Sequence, residues 1–179
     1  LAALRTAISA EGKKFLCEQR RVVGTAASID PLESLASDPQ GSHMARRALA
    51  RLGIDEAAQA VHRALGKTAD ASAKVGIIHS LADLRHTEAI SDLTELLADS
   101  DQQVARAAAR ALGRFGGDQA TAALRKISTT NDDIEIRNAL LGCAEIYAGT
   151  GNAQAAEEIF QSFFASKEYQ QLRIAGLRG

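Results

Sequence analysis

The side chains with the most chemical reach in this 179-residue chain are four histidines, two cysteines and a spaced set of arginines. His79 and His86 lie seven residues apart, two turns along one helical face, but His86 falls in the loop expected beyond the helix end. Metal sites on helices take His pairs at i, i+4 or a convergent carboxylate, as in H-E-x-x-H, and no His-Glu dipeptide occurs here. His43 follows Ser42 at an expected helix start and His62 sits on the first helix of its unit, so all four read as surface or half-buried residues with no metal among them. Cys17 and Cys143 fall on apolar stripes beside Phe15/Leu16 and Leu140/Leu141, where cysteine behaves as a small hydrophobe, and 126 residues separate them. They read as two buried thiols on different helices rather than a bridge. Asp132-Asp133-x-Glu135 precedes a helix whose N-terminus favours carboxylates for dipole reasons alone. No G-x-S-x-G, C-x-x-C or glycine-rich phosphate loop follows a strand pattern, and Gly113-x-x-Gly116-Gly117 reads as a helix end. No catalytic set and no cofactor site emerges, so the chain is expected not to be an enzyme.

The arginines are the best binding candidates. Arg47 aligns with Arg110 at a separation of 63 and Arg51 with Arg114, while His79 and Asp83 hold the intervening places. Arg106 and Arg137 extend the set, with Arg46 beside them. Such side chains can form a broken basic ladder for an acidic partner, or lay their stems over small-residue surface and pair with neighbouring acids such as Asp101 or Asp132. The whole chain carries 21 Lys+Arg against 22 Asp+Glu, a formal charge of −1, and a nucleic-acid binder usually shows a basic excess. Nucleic acid is therefore not the expected partner.

The elements that must position these residues are helices. Alanine supplies 36 of the 179 residues, tryptophan is absent and only two prolines occur, a composition of high helix and low strand propensity. Sliding the sequence on itself places Leu52, Leu84, Phe115 and Tyr147 in register at steps of 32, 31 and 32. Leu49, Leu81, Leu112 and Ala144 follow the same steps. A second register holds Val61, Leu93 and Leu124, with Ala57, Ala89 and Ala120. Each unit thus contains two amphipathic helices, which bury their apolar stripes only by stacking on neighbours. Helices are expected near 2–9, 12–27, 31–37, 42–52, 55–65, 70–84, 87–98, 101–115, 118–128, 132–148, 152–164 and 167–177. Asp30-Pro31-Leu-Glu33 reads as an N-cap, first-turn proline and capping-box glutamate; Thr87, Asp101 and Asn131 read as further caps, and Gly53 and Gly116-Gly117 as C-caps. No apolar run reaches the roughly 18–20 residues of a membrane span.

Leu93-Thr-Glu-Leu-Leu-Ala-Asp-Ser-Asp101, followed by Val104 through Gly116, resembles the HEAT-like repeat, in particular the short bacterial type also called phycobilisome-lyase-like. Arg106 stands one place later than that pattern's usual arginine. Ala73 through Leu84 and Ile136 through Tyr147 match more loosely, so the resemblance covers about 12–148. The phrases Cys17 through Thr25, Ser42 through Arg46 and Lys74 through Leu81 are similar to HEAT segments of large, partly exported bacterial proteins. At the C-terminus, Tyr147, Gly151, Ala156 and Phe160 have tetratricopeptide spacing, an alternative to a HEAT unit with a longer loop.

The resemblance implies an all-α fold: a right-handed α-α superhelix, an α-solenoid of five to six two-helix repeats forming a single domain over 1–179. The pattern already running at Leu1 and the apolar Leu172, Ile174 and Leu177 suggest a piece of a longer polypeptide, with compartment undetermined. It also implies a non-catalytic scaffold whose second helices line a concave face that holds a partner protein, or another domain of the same polypeptide, through Arg47, Arg51, Arg106, Arg110, Arg114 and Arg137. A bilin-handling reading, by analogy with the repeat's other name, fits poorly with 4% aromatic residues. A DNA glycosylase reading lacks aromatics to stack on a base, and a di-iron hydroxylase reading lacks the His-Glu pairs.

Overall fold

Helix-favouring alanine and leucine, punctuated by Asp, Asn and Gly, produce nine α-helices and no strand among the described residues, which are 28–131 and 133–164 of the computed structural model. They are α1 (Ile29–Ala36), α2 (Ser42–Leu52), α3 (Asp55–Leu65), α4 (Ala71–Asp83), α5 (Ile90–Leu96, preceded by a 3₁₀ turn Thr87–Ala89), α6 (Gln102–Phe115), α7 (Gly117–Ser128), α8 (Ile134–Gly149) and α9 (Ala153–Phe164). The helices expected at 42–52 and 55–65 form over those residues, and the others shift by one to three residues at an end. The helix expected at 87–98 differs most, since its first turn winds as 3₁₀ and its α-helical part stops at Leu96. The helices expected at 2–9, 12–27 and 167–177, with Cys17, Asp132 and the apolar residues from Leu172 on, lie outside the described residues.

Capping follows from polar side chains meeting the unpaired amides of each first turn. Asp70 accepts from the Ala73 amide, Asp101 from Gln103 and Val104, Asp133 from Glu135 and Asn152 from Ala155. Gly53 ends α2 with φ 64° and ψ 25°, a left-handed conformation that costs glycine little. Three expected caps are corrected. Thr87 lies inside the 3₁₀ turn, whose cap position is His86, and Ala89 holds the cap position of α5. The α8 cap is Asp133 rather than Asn131. The helix at 31–37 starts earlier, at Ile29, with no side-chain cap, so Asp30 lies inside its first turn. Glu33 is then free of capping duty and turns inward, towards α3.

The chain divides into two units, Leu1–Ala111 and Leu112–Gly179. In the first, α1 packs on α2 and α3, α2 on α3 and α4, and α3 on α4. Each of α1 to α4 therefore meets both a sequence neighbour and the helix one repeat away. The registers expected from periodicity become its core: Leu49, Leu81, Val61 and Leu93 are fully buried, with Ala57 and Ala89 beside them. In the second unit α8 packs on α7 and α9, and Leu112, Leu124, Cys143 and Ala144 are fully buried. Leu52 and Phe115 end α2 and α6, Leu84 caps α4 and Tyr147 lies in the last turns of α8. The four positions are thus equivalent.

Small residues set how near the helices come. A Cβ on Gly113, in the last turn of α6, would stand 2.7 Å from both the Cα and the carbonyl oxygen of Ala139 on α8. One on Gly142 would stand 3.2 Å from the Gly113 carbonyl oxygen. Backbone rather than a flexible side chain blocks the space, so Gly113→Ala must push α8 away and is expected to cost about 1–3 kcal/mol in urea unfolding. Gly149→Ala, with nothing within 4 Å of the new Cβ, is expected to stabilise by about 0.5 kcal/mol.

Candidate functional site: an arginine-bearing helix and a histidine pair

The polar ties described between helices of the first unit join residues 24 to 34 apart. Glu33 on α1, buried at 5% exposure, accepts from Arg63 Nε at 3.0 Å, from Arg63 Nη2 and from Lys67 Nζ on or just beyond α3. Burial opposes ionisation of this carboxyl, but the hydrogen bonds and charges of Arg63 and Lys67 outweigh it and hold its pKa below the ordinary value. Lys74 on α4 pairs with Asp99 at 3.2 Å, beyond the end of α5. In the second unit the Tyr147 hydroxyl donates to Asp118 at 2.6 Å, 29 residues upstream.

The histidines that seven-residue spacing linked are not a pair. His79 is exposed on α4, whereas His86 turns the other way, to His62 on α3. The His86 Nε2 and His62 Nδ1 atoms lie 3.2 Å apart with the rings edge to face, and His62 Nε2 lies 2.8 Å from Asp92 Oδ2 on α5. Glu88 stands 3.7 Å from His86. The chain reaches this geometry through Arg85, whose φ of 55° puts a non-glycine residue in the left-handed region at the end of α4. Gly53 holds the equivalent place 32 residues earlier. No group of three or more metal-ligating side chains is placed to hold a metal among the described residues. The pair is a polar seam: a hydrogen bond between two imidazoles requires a proton on one facing nitrogen and a lone pair on the other. Nothing in linear spacing announces it, because His62 and His86 are 24 residues apart, off the repeat period; the one signal is a non-glycine residue where the period calls for glycine.

The candidate arginines separate into two groups. Arg47 and Arg51 stand four residues apart on the exposed face of α2, and no ion pair engages either among the described residues. Arg106 and Arg137 are half-buried, Arg110 and Arg114 exposed, and all four are engaged in interactions within the chain. Arg46, expected to add surface charge, is instead 8% exposed, with its guanidinium against Gly76 of α4. Cys143 is a buried free thiol whose pKa burial raises, which disfavours the thiolate.

Desolvation, reinforced by the neighbouring His62, lowers the His86 pKa from 6.5. A native pKa below the unfolded one means that the unfolded chain binds the proton more readily, so this contribution is complete above pH 6.5 and lost as pH falls towards the native value. Urea midpoints measured from pH 7.5 down to 5 are therefore expected to fall, and His86→Gln is expected to flatten that slope. An equal slope in the variant would assign the pH dependence to other groups.

Residues 63–144, from the end of α3 into α8, match the family model for HEAT repeats. A comparison with curated proteins gives no match. Just under half of the chain, the helices between residues 63 and 144, thus resembles HEAT repeats, as the periodicity of the sequence leads one to expect.

Proposed function

We propose that this chain is a non-catalytic interaction module that holds an acidic protein segment against the exposed arginines of α2. HEAT repeats typically mediate protein–protein contact, and a helix-pair array offers side chains in fixed rows rather than a cleft for chemistry. The observation that carries the reading is the contrast among the arginines. The other four candidates have interactions within the chain, whereas Arg47 and Arg51 project to solvent one turn apart with no partner of their own among the described residues. Two guanidinium forks at that spacing suit successive carboxylates of an extended or helical acidic segment. Arg106 and Arg110 of the same unit would serve as secondary contacts whose own interactions must first be exchanged.

A fluorescein-labelled hexaglutamate peptide tests this. The double variant R47E/R51E is expected to bind it at least about tenfold more weakly at 50 mM salt, with unchanged helicity by circular dichroism, and native binding is expected to weaken steeply with added salt. Equal affinity in the variant would leave those arginines as solvated surface.

A further inference from the structure

Arg46 breaks the repeat. Its counterparts at the steps that relate Leu49, Leu81, Leu112 and Ala144 are Ile78, Ala109 and Leu141. Ile78 and Ala109 are fully buried apolar side chains and Leu141 is half-buried. The repeat therefore asks for a hydrophobe, yet this position holds an arginine that is 8% exposed and has no hydrogen-bond partner for Nε or Nη1. One turn earlier on the same face, Ser42 is 3% exposed and its hydroxyl is likewise unpartnered. A buried cation without a counter-charge costs several kcal/mol, and replacement by a hydrophobe normally relieves it, as the other repeats do.

The guanidinium lies against the backbone of α4 at Gly76, where any Cβ would collide with its terminal nitrogens, and Gly76 itself remains half-exposed. The charge thus sits just under the surface between α2 and α4. Ser42 is also the first residue of the eleven-residue α2, whose N-terminal amides add a favourable potential for negative charge. Arg47, the residue after Arg46, carries the exposed charge already described.

We infer that Arg46 and Ser42 form a recessed carboxylate receptor between α2 and α4, which takes one acidic side chain of the partner segment while Arg47 and Arg51 hold its flanks. This rests on the proposed acidic partner and adds to it an anchor point. The receptor supplies unsatisfied guanidinium N–H groups and a hydroxyl, a donor set that suits an oxyanion and offers an apolar or cationic group nothing. Retention of arginine at a core position is then a stability sacrifice made for binding.

That sacrifice has an unusual signature, because binding and stability must move in opposite directions. Arg46→Met, close in volume to the isoleucine and leucine of the other repeats, is expected to raise the urea midpoint of the free protein. The same substitution is expected to weaken hexaglutamate peptide binding by about tenfold or more. Ser42→Ala is the second variant, expected to leave the midpoint unchanged or higher and to weaken the peptide several-fold without touching α4. A lowered midpoint in Arg46→Met would show that the guanidinium is already satisfied in the free chain and would overturn the receptor. So would unchanged peptide affinity. Loss of binding in R47E/R51E together with full binding in Arg46→Met would keep the surface reading and remove the anchor; the converse would keep the anchor alone. In a third arm, inorganic phosphate is expected to raise the thermal midpoint less than the peptide does. An Arg46-dependent rise that equals the peptide's would replace the carboxylate of a partner by a free anion.

Discussion

The structure depends on a shared apolar seam. Leu49 and Leu81, one period apart, are fully buried where α2 and α4 pack on each other and on α3. Neither helix pair could exclude water from its stripe alone, so α2 needs α4 as much as α3, and α3 needs α1 as much as α4. Alanine makes this possible at low entropic cost, because Ala45, Ala48, Ala57, Ala60 and Ala64 fill the seam without rotamers to freeze. Close packing of small side chains then replaces the bulky aromatic centre of an ordinary globular core.

Polar groups are added to that seam, and their strengths differ. The Glu33 contacts with Arg63 and Lys67 combine a buried acceptor with cations whose heads remain half in water. The acid is satisfied, while the bases keep most of their solvation. The His62–His86–Asp92 arrangement joins two imidazoles at its inner bond and is wet at its Asp92 end, which makes it sensitive to protons. Arg46 is the opposite case, a charge enclosed with nothing to answer it within the chain. In the first unit, Arg46 and the Ser42 hydroxyl one turn earlier are what the seam leaves unfinished.

Much of this was legible beforehand. Helix positions and the two apolar registers follow from a period that acts on many residues at once, so single exceptions cannot hide it. Gly53 as a left-handed cap and Asp101 as an N-cap followed from local chemistry. What was not legible depends on how neighbouring helices turn their faces. Glu33 matched a capping box by spacing, yet the helix begins at Ile29 and the carboxylate faces α3. Arg46 and Arg47 are adjacent in sequence and look alike there, but one residue of rotation on a helix separates core from solvent. His62 and His86 meet only because Arg85 adopts a backbone conformation that its residue type seldom chooses.

The enclosed thiol of Cys143 has a consequence of its own. Its sulfur is fully buried on α8, 4.0 Å from the Leu112 carbonyl oxygen, and its proton is held more tightly than in water. Alkylating reagents can reach it only during excursions in which α8 lifts from its neighbours in the second unit. The molecule thus carries a native clock: the rate at which that sulfur is modified counts how often this part of the array comes apart while the rest of the chain stays folded.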